Sequence, residues 1–189
     1  MTTEKRSPSA DNRADRSQQQ QKRPSRKLTE YGKQLQEKQK VKEMYGMREK
    51  QFRRFYGLAT KSRQATGEAL LSLLERRLDN VLYRLKLAAT RVQARQLVVH
   101  GHVHVNGERV YSPSFLISVD DLVAIAPSSQ EKTGLLEQVV DKRLAASSKA
   151  ADWLELDKKS RSGKVLRLPV RADIQTPIEE YLIVELYSK

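Results

Sequence analysis

The chain contains no cysteine. That excludes disulfides and thiolate metal sites, and it fits a reducing compartment without requiring one. No apolar run approaches the roughly 20 residues that span a bilayer, so a membrane is not an expected partner. No leader peptide is expected either, since Met1 to Arg26 is polar and charged throughout. The motifs of common catalysis are missing: there is no Walker-type glycine-rich loop, no Gly-x-Ser-x-Gly and no His-Glu-x-x-His. No internal repeat is visible. With no catalytic set to build on, neither enzymatic activity nor a cofactor is expected.

What is present in excess is positive charge. The 189 residues hold 36 Lys and Arg against 23 Asp and Glu, a net charge of +13. The length suits one or two small domains. An imbalance of this size favours a polyanionic partner, because each neutralised phosphate releases counterions. The charge is concentrated. Residues 1–24 are polar, with a Gln18–Gln21 run, and read as a disordered tail. Residues 22–63 hold fourteen basic and four acidic residues, a net of +10. Within that segment Val41, Met44, Tyr45, Phe52, Phe55 and Tyr56 fall at helical spacing. Gly46 separates two helices there, since a mid-helix glycine costs about 1 kcal/mol. A solvated charged face is the plain reading of one such helix. Ten uncompensated charges over two helices favour RNA, because self-repulsion needs a counter-charge.

Residues 66–127 carry the clearest local signals. Thr66 is read as an N-cap, followed by one or two amphipathic helices through Leu70, Leu71, Leu73, Leu74, Leu78, Val81, Leu82 and Leu85. Thr90-Arg91-Val92-Gln93 is a capping-box pattern. It opens a helix that runs to Val99 or His100, with Gly101 placed to stop it. His102–Val105 alternates like a half-buried strand, Asn106-Gly107 is a two-residue hairpin turn, and Glu108–Tyr111 returns. Phe115–Val119 and Leu122–Ile125 read as further strands around Asp120-Asp121. The order of elements predicts a small α/β module rather than a doubly wound sheet.

Beyond it, 128–150 is a polar connection with a candidate helix from Leu135 to Leu144. Trp153–Leu156 and Val165–Leu168 read as a hairpin around the basic turn Lys158–Lys164. Thr176-Pro177-Ile178-Glu179 is a second capping-box pattern. It would start a final helix carrying Ile178, Tyr181, Leu182 and Glu185 on or near one face. A strand over Tyr181–Tyr187 is the competing reading.

Two constellations have chemistry to offer. His100-Gly-His-Val-His104 is a histidine cluster, but no cysteine or nearby carboxylate completes a metal site, so phosphate contact or base stacking is the stronger reading. Arg91 and Arg95 share one helix face, as do Arg77 and Arg84. Two arginine rows beside a strand edge make a phosphate-binding platform, because the guanidinium fork grips phosphate oxygens bidentately. Exposed, unrelated arginines are the plain alternative.

These stretches resemble a known family. Arg77-Leu-Asp-Asn-Val-Leu-Tyr-Arg84, Ala89-Thr-Arg-Val-Gln-Ala-Arg-Gln-Leu-Val98 and His100-Gly-His-Val-His-Val-Asn-Gly107 resemble the S-four family of bacterial small-ribosomal-subunit proteins and the RNA-binding module named after it. Tyr31 to Phe52 and the terminus Glu180-Tyr-Leu-Ile-Val-Glu-Leu-Tyr-Ser-Lys189 agree as well. The flanking matches favour the ribosomal family over the modifying enzymes that share the module. An RNA-modifying enzyme would need a catalytic domain, and the 60 or so residues after the module are too few. A regulatory binder of messenger RNA differs only in its target.

The resemblance implies an α+β fold: a mainly helical body from 25–75 together with 151–189, an inserted RNA-binding module of two helices and a hairpin-containing sheet at 76–127, a connecting segment at 128–150, and the tail at 1–24. It implies a primary binder of small-subunit ribosomal RNA that nucleates assembly. The residues placed on that RNA are Lys33, Lys38, Lys40, Lys42, Arg48, Lys50, Arg53, Arg54, Arg77, Arg84, Thr90, Arg91, Arg95, Gln96, His100 and His102. The cluster Lys22, Arg23, Arg26 and Lys27 is placed on messenger RNA, at the channel by which the message enters. Glu180, Glu185 and Tyr187 are placed on small-subunit protein five, an interface tied to decoding accuracy. A cytoplasmic ribosome is implied, with an organellar one left open. The Gln-rich tail departs from the family's folded, sometimes zinc-holding N-terminal extension, so no zinc is expected.

Overall fold

The computed structural model describes residues 28–127, 140, 141, 144 and 150–188. The tail, its basic cluster and most of the 128–150 connection, including the candidate helix there, lie outside them. Six α-helices stand in order among the described residues, α1 Glu30–Met44, α2 Glu49–Ala59, α3 Thr66–Glu75, α4 Leu78–Arg84, α5 Arg91–Val99 and, at the end, α6 Glu180–Ser188, with a 3-10 turn at Arg171–Asp173 before the last. Five short strands lie between α5 and α6: β1 Val103–Val105, β2 Glu108–Arg109, β3 Leu122–Ile125, β4 Leu154–Asp157 and β5 Ser162–Val165. The fold is α+β, as expected.

Local chemistry sets most boundaries. Thr29 caps α1 by accepting a hydrogen bond from the Gly32 amide. Gly46 sits at φ +59 between α1 and α2, where a side chain would be strained. Thr90 caps α5 through the Gln93 amide, while the Gln93 side chain accepts from Ala89 rather than from Thr90, a capping box displaced by one residue. Asn106 and Gly107, at φ +52 and +86, turn β1 into β2. Two expected caps fail. Thr66 is the first residue of α3, and Ala65 precedes it with no side-chain bond. The final helix starts at Glu180, not at Thr176 to Ile178. It is a helix nonetheless, and the strand reading of Tyr181–Tyr187 is set aside.

The sheet is antiparallel in the order β2-β1-β3-β5-β4. The β4–β5 hairpin forms with Leu154 opposite Val165, and β5 also pairs with β3, Val123 facing Gly163. The sequence reading grouped 151–189 with the helical body; the hairpin instead completes the module's sheet. Phe115–Val119 is not a strand, contributing only a bridge between Leu116 and Arg77. The returning strand ends at Arg109, short of Tyr111, and β5 lies three residues before the expected Val165–Leu168.

Two cores result. Leu78, Val81, Leu82, Leu85, Leu97, Val98, Val103, Val123, Ile125, Trp153 and Val165 belong to one, between α4, α5 and the sheet. Val41, Tyr45, Phe52, Phe55, Leu70, Leu74, Ile178 and Ile183 belong to the other, among α1, α2, α3 and α6. The apolar stripe read from 41–56 is therefore the face of α1 and α2 that meets α3 and α6. Tyr181, expected inward, is 58% exposed, and Ile183 takes the buried place. A helix buries residues about 100° apart in steps, and the pair Leu182–Ile183 sets a different face from Ile178–Tyr181–Leu182.

Candidate nucleic-acid interface

Helix α2 separates its residues cleanly. Phe52, Phe55 and Ala59 are buried against the helical core. Lys50, Arg53 and Arg54 recur at i, i+3 and i+4 on the opposite, exposed side. Arg48 precedes them at the N-cap, and Lys61 and Arg63 continue the charge into the following turn. None of these six cations forms an ion pair among the described residues. The adjacent acid, Glu49, is already committed: Lys38 and Lys42 donate to it at 2.9 and 3.3 Å, and Tyr187 at 2.9 Å. Burial would raise the Glu49 carboxyl, but those donors hold it below its usual value. The result is a row of uncompensated positive charge on a rigid helix, suited to phosphate. Lys61 and Arg63 were counted in the charge excess but not assigned to the site; their position after the helix end hides their alignment from a periodicity argument.

The lysines of α1 are less available. Lys38 is buried on Glu49. Lys40 donates to Glu37 and to the Pro177 carbonyl. Lys42 shares Glu49, and Lys33 lies 3.9 Å from Glu30 on the surface.

The arginine rows of the module face inward. Arg77 is only 2% exposed; it donates twice to Asp79 and lies 5.4 Å from the Phe55 ring. It does not reach solvent phosphate, which corrects its assignment. Arg84 grips Glu75 through two bonds of 2.8 and 2.6 Å. Arg91 donates to Asn80 at 2.7 Å, with its guanidinium 5.0 Å from the Tyr45 ring and 4.6 Å from the Tyr83 ring. Arg95 donates to Asp79 and to the carbonyls of Tyr45 and Gly46. Glu75 also accepts from Tyr45 at 2.7 Å and from Asn80 at 2.6 Å.

Together these groups form a polar seam between the two cores. Burial alone would raise the Glu75 carboxyl; the Arg84 fork, Tyr45 and Asn80 hold it below its ordinary value. Burial and the Glu75 charge push the Tyr45 phenol well above its own. The seam fixes the module against the α1–α2 turn, and so holds two surfaces at one angle.

The remaining assigned residues of the module stay outside. Thr90, Gln96 and His100 are exposed and His102 is partly so. The His100 and His102 rings are 6.1 Å apart. Lys86, which the sequence reading did not assign, is partly exposed at φ +66 with its amine 5.9 Å from the Tyr83 ring. No group of three metal-ligating side chains occurs among the described residues.

The residues assigned to a protein contact tie α6 inward. Glu180 pairs with Arg171 at 3.2 Å. Glu185 accepts from Gln34 at 3.0 Å. Tyr187 donates to Glu49 and stacks 4.5 Å from Tyr56.

The chain is also similar to known proteins. Residues 2–75 match the family described as Ribosomal protein S4/S9 N-terminal domain, and residues 76–123 match the S4 domain. The small ribosomal subunit protein uS4 of Thermoanaerobacter sp. (strain X514) is 52% identical over 87% of this chain and 77% of its own length. The protein of the same name from Chloroflexus aurantiacus is 48% identical over 87% of this chain and 79% of its own. That from Dictyoglomus turgidum is 48% identical over 88% and 79%.

Proposed function

The chain belongs to the uS4 family of small-ribosomal-subunit proteins, and on that premise we propose that it is a primary binder of small-subunit ribosomal RNA that nucleates assembly. The family is structural, not enzymatic, and ribosomal RNA binding is general to it. The observation that carries the assignment to particular residues is the α2 row: Arg48, Lys50, Arg53, Arg54, Lys61 and Arg63, exposed and unopposed. Thr90, Gln96, His100 and His102 add a second contact surface on the module. The two are held in register by the seam, so a folded junction of RNA helices is a better target than a single strand.

Two finer roles extend this reading. Lys22, Arg23, Arg26 and Lys27, adjoining α1 in sequence, meet messenger RNA as it enters, four cations attracted to the phosphates of a single strand. The acidic outer side of α6 meets small-subunit protein five and bears on decoding accuracy. The exposed Tyr181 is the residue best placed for it, since Glu180, Glu185 and Tyr187 each hold α6 to the rest of the chain.

Salt-dependent binding to small-subunit ribosomal RNA tests the core of the proposal. Log K should fall steeply with log salt, and Arg53→Gln with Arg54→Gln should lessen the slope by about 1 for each phosphate no longer neutralised. A slope unchanged by both substitutions removes α2 from the interface. Failure to co-sediment with small subunits on a sucrose gradient overturns the function.

A further inference from the structure

Tyr111 and Arg109 stand beside the end of α5, next to His100 and His102. Gly101 follows the α5 C-cap at φ +73 and is buried. A Cβ at that position would lie 2.7 Å from Cε1 of Tyr111 and 3.2 Å from Cδ of Arg109. The Tyr111 ring therefore rests against bare backbone, which fixes its place. The residue is nonetheless 58% exposed. His104 faces Arg109 across β1 and β2, the Val110 amide still donates to the Val103 carbonyl, and His102 and Tyr111 adjoin that last bond on their two segments. His100 is exposed next to this pair, its ring tilted 43° from that of His102. Strand alternation turns the neighbouring acid, Glu108, to the other side of β2.

Resting on the ribosomal RNA reading, we infer that Tyr111, flanked by His100, His102 and Arg109, is a stacking platform for one unpaired RNA base. A ring packed against backbone and still more than half exposed presents apolar surface to a base at little ordering cost. Imidazoles and a guanidinium around its edge suit the base's polar rim and the phosphate that follows it. Tyr181 makes the contrast. It is equally exposed, but its hydroxyl donates to Glu179 and Glu185 lies one turn along the helix, a surround that repels phosphate. The platform differs from the α2 row in kind. It selects an unpaired nucleotide, whereas the row selects charge.

The test uses full-length protein and small-subunit ribosomal RNA, with affinity measured across a salt series for the native chain, Tyr111→Leu and Tyr111→Phe. Tyr111→Leu should lower affinity by about 5- to 150-fold, the range for one stacked base, with the salt slope unchanged. Tyr111→Phe should stay within about threefold of native. Photo-crosslinking of the native complex should join the Tyr111 peptide to a nucleotide that is unpaired in the RNA. Native affinity in Tyr111→Leu, a loss in Tyr111→Phe equal to that in Tyr111→Leu, or a crosslink only to paired nucleotides each overturns the platform. So does a Tyr111→Leu protein that binds RNA normally yet fails to enter the subunit, which assigns the patch to a protein neighbour. No RNA binding by the native chain overturns the ribosomal RNA reading itself, a result separable from all of these.

Discussion

Replacing Glu75 by Ala removes the acceptor at the centre of the seam. Four donors converge on its carboxylate: the Tyr45 hydroxyl, the Asn80 amide and two N–H groups of Arg84. Tyr45 and Asn80 are buried, and Arg84 is largely so. Removing one partner of a buried pair leaves an uncompensated charge and costs about 3–5 kcal/mol. That is a large part of the 5–15 kcal/mol by which a domain of ordinary size is stable. The loss should also be visible in how the protein unfolds, because the seam is what joins the two cores. Trp153 is the single tryptophan and is buried in the sheet core, so its fluorescence reports that half, while far-UV circular dichroism is dominated by the helices. In urea the two signals should coincide for the native chain and separate for Glu75→Ala. In the double substitution with Arg84→Ala the two charges vanish together, and the combined loss should fall short of the sum of the single losses by about 2 kcal/mol. A loss under about 1 kcal/mol, or additivity in the double variant, refutes the seam as an energetic link.

Leu97→Ala should cost about 2–5 kcal/mol by chemical denaturation, as it empties a site in the sheet core. Gly163→Ala should destabilise by about 1–3 kcal/mol in the same assay, since its Cβ would collide with the Leu85 side chain. Stability should also depend on pH at both extremes. Glu75 titrates below its ordinary 4.5, so its contribution is present above that value and is lost as pH falls through the depressed one. Tyr45 titrates above its ordinary 10.0, so its contribution is present below that value and is lost as pH rises through the raised one. Thermal scans across pH should show both limbs, with the acid limb smaller in Glu75→Gln.

Signals carried by adjacent residues were legible in the sequence. The break at Gly46, the Thr90 cap and the Asn106-Gly107 turn each depend on chemistry within four positions, and each is where it was expected. What escaped depends on distant partners. Spacing put Arg91 and Arg95 on one helix face, correctly, but could not say that the face meets Tyr45, Gly46 and Asp79, the first two about 50 residues away. An arginine held by a carboxylate and an arginine waiting for a phosphate look identical in a periodic pattern. The same limit explains the β4–β5 hairpin. Its own strands were predicted, while its docking on β3 rests on pairing across a long connection. On α2 the cations were read correctly as outward because Phe52 and Phe55 mark the other side.

The strand order has a consequence for how the chain is made. β3 needs β5, about 40 residues downstream, to cover its second edge, and α1 needs α6, from which Glu185 reaches Gln34 across 151 positions. As the polypeptide leaves the tunnel of the ribosome that synthesises it, both halves therefore wait for their last piece. For much of its own translation the nascent protein carries a bare strand edge in one half and an uncovered helical groove in the other. A chain arrested near residue 127 keeps that edge for good, and pairing between copies, more than simple unfolding, is the fault such a product will show.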